Sequence, residues 1–169
     1  QSITGVGHQP DLVWIKKRSG ADDHELFDSV RGVQKAIDSN NDNAEASGRG
    51  LTAFGSDGFT LGNGSSAGNQ GATNENGHTF VSWNWKANGS GSSNTDGSID
   101  STVSANTTAG FSIVKWTGTG SAATIGHGLG IAPRFIIMKN TSNTASWGVY
   151  HESMGNNNRM FLNTTDTTS

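Results

Sequence analysis

The chain has 169 residues, 24 of them Gly and only 2 Pro, with no Cys, 15% charged residues and a formal net charge of -3. Charged residues make up about 25% of an average soluble domain, so this surface is neutral and polar, without the basic field that a phosphate backbone requires, and no nucleic-acid partner is expected. The lack of cysteine removes disulfides, thiolate metal sites and cysteine nucleophiles, and no apolar run nears the ~20 residues of a membrane span, so no membrane insertion is expected.

In chain order, the first predicted strand is the apolar run Leu12–Ile15, entered from Gly5, Gly7 and Pro10; such a run suits a central strand buried on both faces. Asp22-Asp23-His24-Glu25 follows, then Leu26-Phe27 and the stretch Val30–Ile37. Val30, Val33 and Ile37 carry the one helical spacing in the chain, but Gly32 opposes a helix interior, and the segment reads as a strand with an irregular turn. Leu51–Phe54 and Phe59–Leu61 read as two strands joined through Ser56-Asp57-Gly58. In Phe80–Trp85, alternation sets Val81, Trp83 and Trp85 on one face and Ser82 and Asn84 on the other, which predicts a half-buried strand with its tryptophans inward. Residues 89–109 have the Gly, Ser, Thr and Asn content of a linker. Phe111–Trp116, Phe135–Met138 and Trp147–Tyr150 complete the strand candidates, and Phe135–Met138, like Leu12–Ile15, is expected to be central.

An internal repeat organises these elements. Thr4–Lys17 aligns without gaps on His127–Asn140, placing Gly5, Gly7, Pro10 and Lys16 on Gly128, Gly130, Pro133 and Lys139. The match continues with Leu26-Phe27 on Val149-Tyr150 and Gly32 on Gly155. After a one-residue gap it puts Lys35-Ala36-Ile37 on Arg159-Met160-Phe161, and Asp42 on Asp166. An ordered series of this kind predicts a tandem duplication: a first β-sandwich unit over residues 1–88, a linker over 89–109, and a second unit opening over 110–169. The period implies that the second copy runs past Ser169 and that the first lacks the counterpart of Gly110–Ser121, so the sequence reads as a piece of a longer repeat protein. Its open sheet edges would then be paired by another segment or subunit.

The segment from Gly110 to Asn140 (GFSIVKWTGTGSAATIGHGLGIAPRFIIMKN) with SWGVYHESMG after it resembles a repeat of large virion proteins of marine bacteriophages, and DLVWIKKR, ELFDSVRG, LTAFGSDGFTLG and FVSWNWKANG extend the likeness over most of the chain. The resemblance implies an all-β, antiparallel β-sandwich of the jelly-roll, laminin-G or concanavalin type, placed on the virion in a tail fibre, appendage or capsid-surface protein. It implies other copies of itself or neighbouring virion proteins as partners, with adsorption to host-surface glycans as a role, and it transfers no catalytic residues.

The residues taken by themselves point to no catalytic centre. There is no G-x-S-x-G elbow for a serine triad and no zinc spacing among the five His, and the glycines at 118–130 follow neither phosphate-binding spacing. Asp22, Asp23 and Asp42 supply oxygen donors of the kind Ca2+ takes. However, Ala145-Ser146 replaces the first pair in the second copy, which favours solvated turns and no cofactor. For a glycan, an exposed aromatic is needed; Trp147, after the polar loop 140–146, and Tyr150 are the expected ligand residues, with Trp83 and Trp85 in the core. Two further readings are a carbohydrate-binding module or adhesin of a cell-surface or secreted protein, and a polysaccharide-cleaving fibre enzyme with paired carboxylates.

Overall fold

A computed structural model describes residues 1–62 and 71–166. Strand accounts for 39% of it and helix for 4%, which makes the chain all-β. The strands are β1 (Ser2–Thr4), β2 (Leu12–Lys17), β3 (His24–Asp28), β4 (Lys35–Asp38), β5 (Ala46–Ser47), β6 (Leu51–Gly55) and β7 (Gly58–Leu61), then β8 (Phe80–Trp85), β9 (Ser92–Asn94), β10 (Ser101–Asn106), β11 (Phe111–Trp116), β12 (Phe135–Met138), β13 (Gly148–His151) and β14 (Met160–Phe161). A single helical turn, Gly71–Asn74, precedes β8, and a 3-10 turn, Glu152–Met154, follows β13.

The strands form a five-stranded sheet ordered β5-β4-β3-β2-β8 and three three-stranded sheets, β1-β7-β6, β11-β10-β9 and β12-β13-β14, every named pair being antiparallel. Successive strand residues alternate between faces, so Val13, Ile15, Phe27 and Ala36 leave the five-stranded sheet on one side. There they meet Leu51, Phe59 and Leu61 from β6 and β7, with Ile3, Phe54 and Phe80 at the margin. Two sheets thus share one apolar layer. The entry to β2 is set by Asp57 in the β6–β7 turn, which accepts hydrogen bonds from Gly5 N–H (3.0 Å) and Gly7 N–H (2.6 Å). Both glycines have positive φ, 86° and 81°, where a Cβ is strained.

Two meanders share one register. Leu12 pairs with Asp28, Val13 with Phe27 and Trp14 with Leu26, and the residues 123 positions later pair likewise, Phe135 with His151, Ile136 with Tyr150 and Ile137 with Val149. The same offset relates lone hydrogen bonds: Lys16 Nζ to Asp22 O and Lys139 Nζ to Ala145 O; His24 N–H to Asn40 Oδ1 and Trp147 N–H to Asn163 Oδ1; Ser29 N–H to Asp11 O and Glu152 N–H to Arg134 O. Gly128, Gly130 and Gly155 repeat the positive φ of Gly5, Gly7 and Gly32. The one-residue gap in the sequence alignment has no counterpart in the register: Leu26 faces Ile37 and Val149 faces Met160, so Ile37 corresponds to Met160 and not to Phe161.

Three expectations need correction. Residues 89–109 hold β9 and β10 where a linker was expected, with Ser101, Val103 and Ser104 buried. Small side chains let this stretch pack closely: a Cβ on Gly91 would lie 2.8 Å from Val103 O, and Ser104 Oγ accepts from Asn88 N–H at 2.8 Å. Phe135–Met138 is an edge strand, not a central one, and β2 is central but buried on alternate residues. The stretch Val30–Ile37 agrees with its reading as an irregular turn leading into a strand: turns precede β4, and Gln34 takes a positive φ of 59° there.

The apolar layer includes a buried charge group. Glu25 is 0% exposed and faces Asp38 across β3 and β4, with Arg49 Nη1 3.5 Å from its Oε1. Burial, reinforced by the Asp38 charge and opposed by Arg49, pushes the Glu25 carboxyl up to about 8, and burial also raises Asp38. A folded pKa above the unfolded one means that the fold takes up a proton. The stability from this group is therefore complete below about pH 4.5 and is lost as pH rises towards 8. His24, held low chiefly by burial, acts in the opposite sense as pH falls through the histidine range. We predict that the urea midpoint of the wild type minus that of Glu25→Gln falls between pH 5 and 8, by an amount on the order of a few kcal/mol in stability; a flat or rising difference contradicts this.

Candidate aromatic binding face

On the side of the five-stranded sheet away from the shared apolar layer lie Leu12, Trp14, Leu26 and Ile37. Trp147 covers part of this face. It is 4% exposed, packs with Leu26 and Ile37 against Leu12 and Trp14, and donates from its indole Nε1 to Asp38 O at 2.8 Å. The remainder is partly exposed, with Phe111 lying against Trp85. Phe80 turns into the shared layer, and alternation carries Ser82 and Asn84 with it, so Trp83 and Trp85 face outward, 47% and 36% exposed.

Cross-strand pairing sets the ring geometry. Trp14 stands directly opposite Trp83, their centroids 5.8 Å apart and the rings tilted by 54°. Trp85 stacks on Phe111 of β11 at 6.5 Å and 27°. Trp83 and Trp85 are two residues apart on one strand, a separation of roughly 7 Å along β8. An open depression of about 560 Å3 follows in the chain, lined by Lys86–Asn88 and Ala105–Ala109. Asn106 braces it, donating to Lys86 O at 3.3 Å and accepting from Ala109 N–H at 3.0 Å, while Lys86, Thr107 and Thr108 stay exposed. The two exposed rings of β8 and, just after them in the chain, the exposed hydroxyl and ammonium groups of the depression are of the kinds that suit weak recognition of a sugar surface. The family described as a domain of unknown function (DUF7483) matches residues 1–169. The chain belongs to this family. No curated protein and no solved structure matches the DUF7483 chain.

The structure places the two residues expected to meet a ligand, Trp147 and Tyr150, in different surroundings. Trp147 is core and not surface. Tyr150 is half-buried and donates its hydroxyl to Asn156 Oδ1 at 3.1 Å, on the opposite face of β13 from buried Val149, so the two do not form one platform. The oxygen donors also disperse. Asp22 accepts from Lys17 Nζ at 2.9 Å, Asp23 from Asn40 Nδ2 at 2.8 Å, and Asp42 offers its carbonyl to Ala145 N–H and Lys139 Nζ. Among the described residues, no three His, Asp or Glu side chains are gathered as metal ligands. Sequence patterning misassigned Trp83 and Trp85 because alternation identifies two faces without saying which faces water; the deciding fact, that Phe80 points into the shared layer, follows only from the pairing with β2.

In this DUF7483 chain, truncation should therefore separate the tryptophans. Trp147→Ala opens a buried cavity and orphans Asp38 O, and should cost about 3–5 kcal/mol. Trp83→Ala should stay within about 1 kcal/mol. Equal losses in urea unfolding would refute this division of the face.

Proposed function

We propose that the chain is a non-enzymatic structural module of a bacteriophage virion protein, in a tail fibre, appendage or capsid surface, that also adsorbs host-surface glycans through many weak contacts. The observation that carries the binding role is the exposed pair Trp83 and Trp85, followed directly in the chain by the polar depression at Lys86–Asn88 and Ala105–Ala109. The aromatic face of an indole packs on the apolar face of a pyranose, and a site this shallow and open binds weakly alone. Display in many copies converts weak contacts into firm attachment through effective concentration, a gain of roughly a hundredfold or more.

The modular role rests on the constant offset of 123 between the two meanders. Tandem units of jelly-roll type account for it, because one strand pattern encoded twice reproduces pairings, lone hydrogen bonds and left-handed glycines alike. The non-sequential neighbours β1-β7 and β2-β8 fit a jelly roll, in which strands distant in sequence lie side by side. The virion setting, with copies of itself or neighbouring virion proteins as partners, rests on the resemblance of GFSIVKWTGTGS and the segments that follow it.

Beads carrying many copies of the chain, passed over immobilised bacterial surface polysaccharides, test this reading. Retention should be strong for the beads, slight for the free chain, and lost with the Trp83→Ala, Trp85→Ala double variant. Failure of the beads to bind any polysaccharide overturns the adsorption role, release of reducing ends overturns the non-enzymatic assignment, and tight saturable binding by the free chain shifts the function to a stand-alone carbohydrate-binding module.

A further inference from the structure

We infer that the open edge of β12 is a strand-addition site for an extended segment of the Phe80–Trp85 type. The edge is short but apolar throughout. Phe135, Ile137 and Met138 are 56%, 41% and 41% exposed, and among the described residues β12 pairs with β13 alone. Natural proteins pair, cover or charge such edges, and no charged residue or proline stands within Phe135–Met138.

The other meander of this chain shows the occupant. β12 corresponds to β2 in register, and the edge of β2 turned away from β3 is filled by β8, with Leu12 opposite Trp85 and Trp14 opposite Trp83. The backbone polarity of the two edges also agrees. Arg18 N–H donates to Thr79 O at 2.7 Å, and hydrogen-bonded pairs recur every second residue, so Trp14 and Leu12 direct their N–H and C=O groups at β8. Glu152 N–H donates to Arg134 O at 2.9 Å, which by the same rule turns Ile136 and Met138 towards β13 and leaves Phe135 and Ile137 directing theirs to the open side. A strand of the Phe80–Trp85 pattern therefore adds antiparallel to β12 with Trp83-type and Trp85-type residues opposite Ile137 and Phe135, as aromatic–apolar cross-strand pairs. Backbone bonds supply affinity and the tryptophans supply register.

This rests on the tandem-unit part of the proposed function and not on glycan adsorption, so either can fail while the other stands. The test adds a synthetic peptide spanning Thr79–Ala87 to the intact chain and follows amide hydrogen exchange with binding by calorimetry. The expected result is one peptide per chain, slowed exchange at Phe135 and Ile137, and no binding by a peptide with Ser at both tryptophan positions. Ile137→Pro removes one outward N–H without touching the β12–β13 ladder and should weaken binding about tenfold or more; exchange in the wild type decides the question even if that variant misfolds. Absence of binding up to millimolar peptide, or protection confined to residues 12–17 through displacement of β8, overturns the inference.

Discussion

The alternation of side chains along β2, β3 and β8 governs what this protein keeps inside and what it shows. Once Val13, Ile15 and Phe27 close on Leu51, Phe59 and Leu61, the residues between them have no choice of side. Leu12, Trp14, Leu26, Ile37, Trp83 and Trp85 must all leave by the other face. That second face is too apolar to be left to water entirely, and Trp147 covers the Leu26–Ile37 half of it. The Trp83–Trp85 half stays exposed apart from the Phe111 ring against Trp85, so the docking of one meander and the exposure of the candidate binding face have a single cause.

The charge group at Glu25 follows from the same alternation. Glu25 lies two residues before Phe27 on β3 and is carried into the layer with it, opposite Asp38. Burial there disfavours the ionised form, and Arg49 at 3.5 Å compensates in part. A second ionic cluster holds the turn after β3. Arg31, with its side chain 8% exposed, pairs with Asp28 and with Glu45 Oε2 at 3.1 Å and donates to Leu26 O and Lys35 O. This turn was legible only as irregular, because the ion pairs that define it join residues as far apart as Arg31 and Glu45.

Strands were legible wherever β-branched and aromatic residues run together, as at Leu12–Lys17, Leu51–Gly55, Gly58–Leu61, Phe80–Trp85 and Phe111–Trp116. They were hidden at Ser92–Asn94 and Ser101–Asn106, where Ser and Asn promise a loop and long-range pairing with β11 overrides that preference. The glycine and apolar correspondences between the meanders were visible because they encode backbone conformation and packing, which single residues report. The faces of Trp83 and Trp147 were not, since inside and outside depend on which sheets meet.

Trp147 lies inside while Trp83 and Trp85 lie outside, and the indole N–H groups report this directly. Hydrogen exchange of the tryptophan side chains, followed by nuclear magnetic resonance on the intact chain, should show Trp147 protected by its bond to Asp38 O and Trp83 and Trp85 exchanging rapidly. Fast exchange at Trp147 together with protection at Trp83 and Trp85 would invert the outer face and contradict the candidate binding face.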